Sequence, residues 1–450
     1  MRSSLPEKFL QRSQSDLGTD YHAFIASLNE PAPVSIRLNS KKNIKNTPAE
    51  VKAPVAWHPQ GRYLVERPVF TLDPLFHAGG YYVQEASSMF VYQAFQQVVD
   101  TAKSLKVLDL CAAPGGKTTL LADMLNEESL LVANEVIKGR VGILKENLQK
   151  WGYTNYLVAN HDAEEFVELE GFFDAVLVDA PCSGEGLFRK DPDASSHWSE
   201  EAVQTCSLRQ RRILQAAAMT VAPKGVLLYS TCTYNASENT DNVAWLVKNH
   251  DFELIELDIS NFPGVTPSGG GYQFYPHKTT GEGFFLAALR KKGGDEDYPT
   301  VKIKLNKASA KQVEDLGQWL QNPSKFSFYV KKEGGIVAIP KAVEGAYSTV
   351  MKALFKRSSG LELGEFKGKD FVPSHALALS MEHNEDLPKL ELTKENALLY
   401  LKKEAFEHSA TTTGWHLVCH EGLGLGWAKV IGERVNNYLP KEWRIRMDLE

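Results

Sequence analysis

Leu105-Lys106-Val107-Leu108-Asp109-Leu110-Cys111-Ala112-Ala113-Pro114-Gly115-Gly116-Lys117-Thr118-Thr119-Leu120-Leu121-Ala122-Asp123-Met124-Leu125 reads as strand, tight turn and helix in direct succession. Leu105 to Leu110 is a short apolar run of the buried-strand type, and the turn signals that follow bound it. Asp109 to Lys117 is a glycine-rich turn, and Thr118 to Leu125 opens a helix. Such a turn aims backbone N–H groups at a ligand from a helix N-terminus. Its glycines let the ligand approach the backbone closely. The spacing is neither Gly-x-Gly-x-x-Gly nor Gly-x4-Gly-Lys-Ser/Thr. The turn therefore suits a nucleotide-like cofactor, with an ordinary strand-to-helix connection as the competing reading.

Outward from this stretch the chain keeps alternating. Strands are expected at Leu130 to Val136, Tyr156 to Ala159, Phe173 to Val178, Val226 to Tyr229, Phe252 to Leu257 and Phe284 to Leu289. Helices are expected at Lys138 to Lys150, Leu208 to Val221 and Asn239 to Asn249. Alternation of this kind predicts a parallel sheet of about seven strands with helices on both faces. Two strands follow the last long helix, and a reversed final strand would make the sheet mixed. Upstream, a helix at Tyr21 to Leu28 and a strand at Val34 to Leu38 give the first hundred residues an α+β character. Downstream, Lys291 to Asp297 reads as a linker. A mixed segment with strands at Phe326 to Val330 and Gly335 to Ile339 follows it, and His383 to Asp386 marks a second boundary. The end of the chain combines a helix at Lys394 to Lys402 with a strand-turn-strand from Gly414 to Val430. Four domains are expected: 1–98, 99–292, 299–382 and 386–450.

The 450 residues, 43% hydrophobic and 24% charged, are those of an ordinary soluble protein. No run approaches the roughly 18 apolar residues of a membrane helix, and the first residues lack the apolar core of a signal peptide. Five cysteines without a Cys-x-x-Cys pair argue against a disulfide framework or a zinc ribbon. A reducing cytoplasm, no membrane and no metal are the expectation. The net charge of −6 does not announce a nucleic-acid binder, but a local basic patch suffices for one. Candidate patches are Arg189-Lys190, Arg209 to Arg212 and Lys441 to Arg446, each of which reads equally as solvated surface.

Chemistry concentrates at the carboxyl ends of the strands, where an open parallel sheet has its ligand crevice. Glu135 is placed to accept ribose hydroxyls, against a helix-start acid as the alternative. Asp162 could accept from an adenine amino group, but it reads equally well as a helix cap. Cys182 in Asp179-Ala180-Pro181-Cys182-Ser183-Gly184 and Cys232 in Ser230-Thr231-Cys232-Thr233 each follow a buried strand, so two thiols can share one pocket. A soft sulfur nucleophile suits addition to carbon 6 of a pyrimidine, which activates carbon 5 toward a methyl donor. Asp179 is placed to protonate ring nitrogen 3. Cys206 and Cys419 read as core residues. Cys111 is expected to meet a ligand through its backbone.

These pieces, together with Gln84 to Ser88 and Asn436 to Arg444, resemble the Nol/Nop/Sun family of RNA cytosine-5 methyltransferases, and within it the bacterial F type acting on small-subunit ribosomal RNA. The resemblance covers nearly the whole chain, and the pairing of Asp-Ala-Pro-Cys with Ser-Thr-Cys-Thr is highly specific. It implies a Rossmann-like, S-adenosylmethionine-dependent α/β core. This core would be flanked by an α+β N-terminal domain that binds or positions RNA and a C-terminal PUA-like β-rich RNA-binding module. It implies cofactor contacts from Cys111, Ala112, Ala113, Pro114, Gly115, Gly116, Lys117, Glu135, Arg140, Asp162 and Asp179. It implies Cys232 as nucleophile, Cys182 as release group, and 16S ribosomal RNA, alone or in a 30S particle, as partner of a monomer. Transfer RNA as substrate, or a catalytically silent assembly factor, are the alternatives. A DNA cytosine-5 methyltransferase would carry Glu-Asn-Val after its Pro-Cys, and the chain has none.

Overall fold

The computed structural model describes residues 5–294, 298 and 305–448. Asp295 to Asp297 of the expected linker and residues 299–304 of the third expected domain lie outside the described residues.

The N-terminal part has helices Glu7–Leu17 and Tyr21–Leu28 and an antiparallel sheet of β1 (Val34–Leu38), β2 (Val51–Pro54), β3 (Gly61–Leu64) and β4 (Tyr81–Val83), in the order β2-β3-β1-β4. The central sheet begins with β5 (Lys106–Asp109), β6 (Leu130–Asn134), β7 (Tyr156–Ala159), β8 (Phe173–Asp179) and β9 (Val221–Thr231), all parallel. β10 (Phe252–Leu254), β11 (Thr266–Ser268), β12 (Gly271–Phe274) and β13 (Phe284–Lys291) follow, and β13 runs antiparallel to β9, so the sheet is mixed.

The third segment contributes β14 (Phe326–Val330), β15 (Gly335–Pro340), β16 (Arg357–Ser359), β17 (Leu361–Lys367) and β18 (Asp370–Pro373). Four of these make their own sheet, but β16 pairs with β7 at the edge of the central one. The central sheet therefore has ten strands, in the order β11-β12-β13-β9-β8-β5-β6-β7-β16 with β10 also on β13. The expectation of seven falls short by the β11–β12 hairpin and by β16. These strands are three or four residues long and carry no alternating pattern of their own. The last module has β19 (Lys389–Glu391), β20 (Gly414–His420), β21 (Leu423–Ile431) and β22 (Arg434–Asn437) in sequential order. Among the described residues no helix is long and apolar enough to cross a membrane.

The period-two geometry of strands explains the core. Val107, Leu131, Ala175, Leu177 and Leu228 point to one face, against helices Val91–Val98 and Gly116–Met124. Leu108, Val132, Leu157, Val176 and Leu227 point to the other, against helices Glu200–Thr220 and Thr240–Asn249. Strands buried on both faces read as continuous apolar runs, as these do. Tyr347, Val350 and Leu354 of the third segment join the second cluster, while its Trp319 and Phe328 share a cluster with Leu417, Cys419 and Trp427 of the last module.

The N-terminal part is fastened at helix Lys138–Trp151. Lys42 Nζ donates to the carbonyls of Ala78, Lys150 (2.7 Å) and Leu379 (3.2 Å), joining three regions at one ammonium. Arg37 is fully buried and donates to Gln84, Asp123 (2.7 Å), Thr119 and the Gly116 carbonyl, with its guanidinium 4.5 Å from the Trp151 ring. These contacts set β4 and the segment after it over the turn that follows β5.

Candidate active site

The order β7-β6-β5-β8-β9 reverses direction between β5 and β8, which opens a crevice at the carboxyl ends of these strands. Asp109, Glu135, Asp162, Asp179 and Cys232 all stand at or just beyond those ends.

On the cofactor side, Asp109 is fully buried. Thr118 Oγ1 donates to its Oδ2 at 2.6 Å, and its Oδ1 has no hydrogen-bond partner. Burial pushes the carboxyl up to about 7; Thr118 opposes the shift and nearby Asp179 adds to it. Asp109 lines a cavity of about 160 Å³ whose other walls are Cys111 to Pro114, Gly116, Lys117 and Asp179 on one side and Tyr82, Gln84, Glu85 and Ser88 on the other. The N-terminal part thus closes this cavity. Gly115, at φ +115°, caps the helix in the left-handed region, a conformation glycine adopts without strain.

Arg140 donates to the Ala113 carbonyl and lies 3.4 Å from Glu135 Oε2. Glu135 is buried, and its Oε1 accepts from the Ile137 amide at 2.8 Å. Arg140 therefore ties the turn after β5 to the acid after β6. Asp162 is more heavily engaged. It forms a capping box with Glu165 and a two-pronged pair with Arg212 at 2.9 and 3.1 Å. Burial would raise its carboxyl, but Arg212 and the Glu164 amide outweigh that and hold it low. An adenine amino group would have to share this carboxylate with Arg212. Glu135, Arg140 and Asp162 do not line the cavity itself.

On the thiol side, the parallel register of β8 and β9 sets Asp179 opposite Ser230. The loops beyond then bring Cys182 Sγ to 3.0 Å from Cys232 Sγ, and the Cys232 amide donates to Cys182 Sγ at 3.3 Å. The hydrogen bond to Cys232 and burial hold the Cys182 thiol well above its ordinary range, so Cys182 keeps its proton. Asp179 accepts from Lys117 Nζ at 2.7 Å and from Ser230 Oγ at 2.8 Å. Burial alone would lower the Lys117 ammonium, but Asp179 more than offsets it, with Cys232 and Asp109 adding to the rise. Burial, with Asp109 and Asp179 beside it, pushes the Cys111 thiol far up, so it stays protonated. Cys419 is fully buried, whereas Cys206 is half-buried and lies outside the pair.

The loop after Cys182 hangs on Glu238. The Ser183 amide donates to Glu238 Oε2 at 3.0 Å, Gln210 Nε2 to the same oxygen at 2.7 Å, and Asn235 Nδ2 to Oε1 at 2.7 Å. Gln210 also holds the Pro181 carbonyl. Gly186 is obligatory, because a Cβ there would lie 2.5 Å from the Gly283 carbonyl oxygen. Sequence reasoning passed over Ser230, Gln210, Asn235, Glu238 and Tyr82. Gln210 lay in a run read as a basic surface and Glu238 at a helix start. For Ser230, Asn235 and Glu238 the one signal was a density of polar residues beside the Cys232 motif; Tyr82 and Gln210 had none.

A buried carboxylate with a free oxygen, turn amides at a helix N-terminus and a second acid after β6 fit an amine-bearing nucleoside cofactor. Known proteins match nearly the whole chain. The family described as 16S rRNA methyltransferase RsmB/F matches residues 96–290, the N-terminal domain of 16S rRNA methyltransferase RsmF matches 5–86, and the methyltransferase RsmF PUA domain matches 387–445. The chain is 32% identical to ribosomal RNA small subunit methyltransferase F of Shewanella loihica, over 93% of this chain and 90% of that one. It is 30% identical to the protein of that name from Escherichia coli O81, over 97% and 96%. Among solved structures, a methyltransferase homologue from Pyrococcus horikoshii is 27% identical, with TM-score 0.55 over 64% of this chain and 95% of that one. NSun6 from Pyrococcus horikoshii, solved with SFG, shares the fold at 21% identity and TM-score 0.56, over 65% and 100%. The chain belongs to the RsmB/F family of 16S rRNA methyltransferases and is an S-adenosylmethionine-dependent RNA methyltransferase.

Proposed function

We propose that the protein methylates carbon 5 of a cytosine in 16S ribosomal RNA through a transient bond between Cys232 and the base. The observation that carries this reading is the thiol pair: two sulfurs 3.0 Å apart at the ends of adjacent parallel strands, beside an aspartate held by a lysine. The relatives named for small-subunit ribosomal RNA support the substrate, and the PUA-type module supports an RNA partner.

The target base leaves its stack to reach the pocket. Cys232 sulfur adds to carbon 6 of the ring. The Lys117–Asp179 pair supplies the proton that ring nitrogen 3 takes up as the adduct forms. Residues 111–117 with Asp109 would hold S-adenosylmethionine, Glu135, Arg140 and Asp162 would take its outer polar groups, and the cofactor would supply the methyl group that carbon 5 accepts. Water then takes the carbon 5 proton, the carbon 5–carbon 6 double bond re-forms, Cys232 leaves carbon 6 with the bonding pair, and the nitrogen 3 proton returns to the Lys117–Asp179 pair. Cys182 lies next to the departing sulfur and assists its release, while its hydrogen bond to Cys232 and its burial keep Cys182 from competing as nucleophile.

The test is a pair of variants expressed in cells. Cys182→Ala should accumulate protein joined to RNA on a denaturing gel, and sequencing of that RNA should return one small-subunit cytosine. Cys232→Ala should yield no adduct and no methyl transfer while retaining cofactor affinity. Turnover by Cys232→Ala would overturn the nucleophile assignment. An adduct to transfer RNA would keep the chemistry and overturn the substrate.

A further inference from the structure

We infer that Arg12, on the first N-terminal helix, is a positioning residue for the reaction: through the buried carboxylate of Glu185 it holds together the two loops that carry Cys182 and Cys232. The inference rests on the roles proposed above for those cysteines.

Glu185 lies three residues beyond Cys182, and its side chain has no exposure. Its Oε1 takes Arg12 Nη2 at 2.8 Å, Trp198 Nε1 at 2.9 Å and Asn235 Nδ2 at 3.1 Å, and its Oε2 takes the Tyr234 amide at 3.1 Å. Tyr234 and Asn235 are the second and third residues beyond Cys232. A single carboxylate therefore spans both loops, and the Gly186 amide adds a direct bond to the Cys232 carbonyl at 2.9 Å. Of the four donors to Glu185 only Arg12 is charged. A buried carboxylate tolerates its burial when a cation compensates it, and Arg12 is that cation while the two Glu185 oxygens accept from both loops at once.

The same helices seat on the loops by ring contacts. Phe9 meets Phe188 edge-on at 5.0 Å on the Cys182 side, and Phe24 meets Tyr234 edge-on at 5.0 Å on the Cys232 side. The N-terminal helices thus act on the geometry of the thiols. If they served RNA binding alone, Arg12 would be a phosphate contact, and its loss would raise KM for RNA and leave kcat intact.

Arg12 is 27% exposed and lies over the Phe9 and Trp198 rings, so kcat is read per folded protein, with a melting curve recorded for each variant. The experiment compares full-length wild type, Arg12→Ala, Arg12→Lys and Cys232→Ala on the RNA that the wild type methylates. Arg12→Ala should lower kcat about tenfold, equivalent to about 1.4 kcal/mol of transition-state stabilisation, with KM for RNA and cofactor affinity unchanged. Arg12→Lys should recover much of that loss, because an ammonium still compensates Glu185. Full kcat in Arg12→Ala, whether or not KM rises, overturns the inference while Cys232→Ala remains inactive. Turnover by Cys232→Ala would instead overturn the reading of the thiols, and this inference with it.

Discussion

The buried carboxyl of Asp109 should make cofactor affinity depend on pH through neutrality. In the free protein, burial raises it to about 7 against the opposing hydrogen bonds of Thr118 and the Cys111 amide. The cofactor carries an ammonium and a sulfonium, and a cation near a carboxylate favours the ionised form. Below about 7 Asp109 binds a proton that cofactor binding must expel; above it the site is already ionised. Affinity is therefore greatest at high pH and is lost as pH falls through about 7. If the bound carboxyl returns to its ordinary range, the shift is about three units, a coupling of at most about 4 kcal/mol. One decade of that coupling is felt between about pH 8 and pH 6, so Kd should be about tenfold weaker at the lower value. Calorimetry in buffers of different ionisation enthalpy should show about one proton released per cofactor near pH 6 and almost none near pH 8. Asp109→Asn should bind weakly and lose the Asp109 part of this slope, which separates it from titration of the cofactor's own amine. A flat wild-type profile without proton release, or an unchanged slope in Asp109→Asn, would refute the argument.

The last module offers a cleft of about 740 Å³ lined by Lys402, Lys403, Lys441, Arg444 and Arg446 with Glu404 and Glu442. Lys441→Glu with Arg444→Glu should weaken RNA binding and reduce the log–log salt slope by about one to two, with cofactor affinity unchanged; equal loss of both would make the cleft structural. At the other end of the chain, Arg37→Ala should cost about 3–5 kcal/mol, since it leaves the Asp123 carboxylate buried without its cation. A melting temperature within about 2 °C of wild type would count against that. Arg37→Lys should rescue little, because one ammonium cannot span Asp123, Gln84, Thr119 and the Gly116 carbonyl as the planar fork does.

The central strands were legible because each is buried on both faces, and Tyr156 to Ala159 has the expected bounds. Helix Glu200–Thr220 begins eight residues before the expected Leu208. Its first turns, Glu200-Glu201-Ala202-Val203-Gln204-Thr205, have little apolar periodicity, and the true signal was the Ser199 cap, which accepts from the Ala202 amide. β9 begins at Val221, ahead of the expected Val226. Pro223-Lys224-Gly225 reads as a breaker, yet the structure absorbs it in an irregular register near the start of β9. β16 pairs Arg357 with Ala159 across nearly two hundred residues. A pairing at that distance leaves no local pattern to read.

The site was legible as a set of groups, much less so as a set of charges. Cys111, Cys182 and Cys232 all follow strand ends; the glycine turn sets Cys111 apart, but the neighbours along the chain do not by themselves rank Cys182 against Cys232. Their partners in space do. Cys111 is held protonated by burial first and then by Asp109 and Asp179 beside it. Cys182 is buried against the other sulfur and keeps its proton. Cys232 is the thiol that adds to the rise of the Lys117 ammonium. Lys117 illustrates the same limit. It sits in a glycine turn, where a lysine would be read as facing a phosphate, but it turns inward to Asp179. Only the pairing of β5 with β8 brings those two residues together, so a motif read along the chain identifies the lysine without its role. The charged surroundings of these thiols are thus set by strand order, through contacts between residues 50 to 62 positions apart.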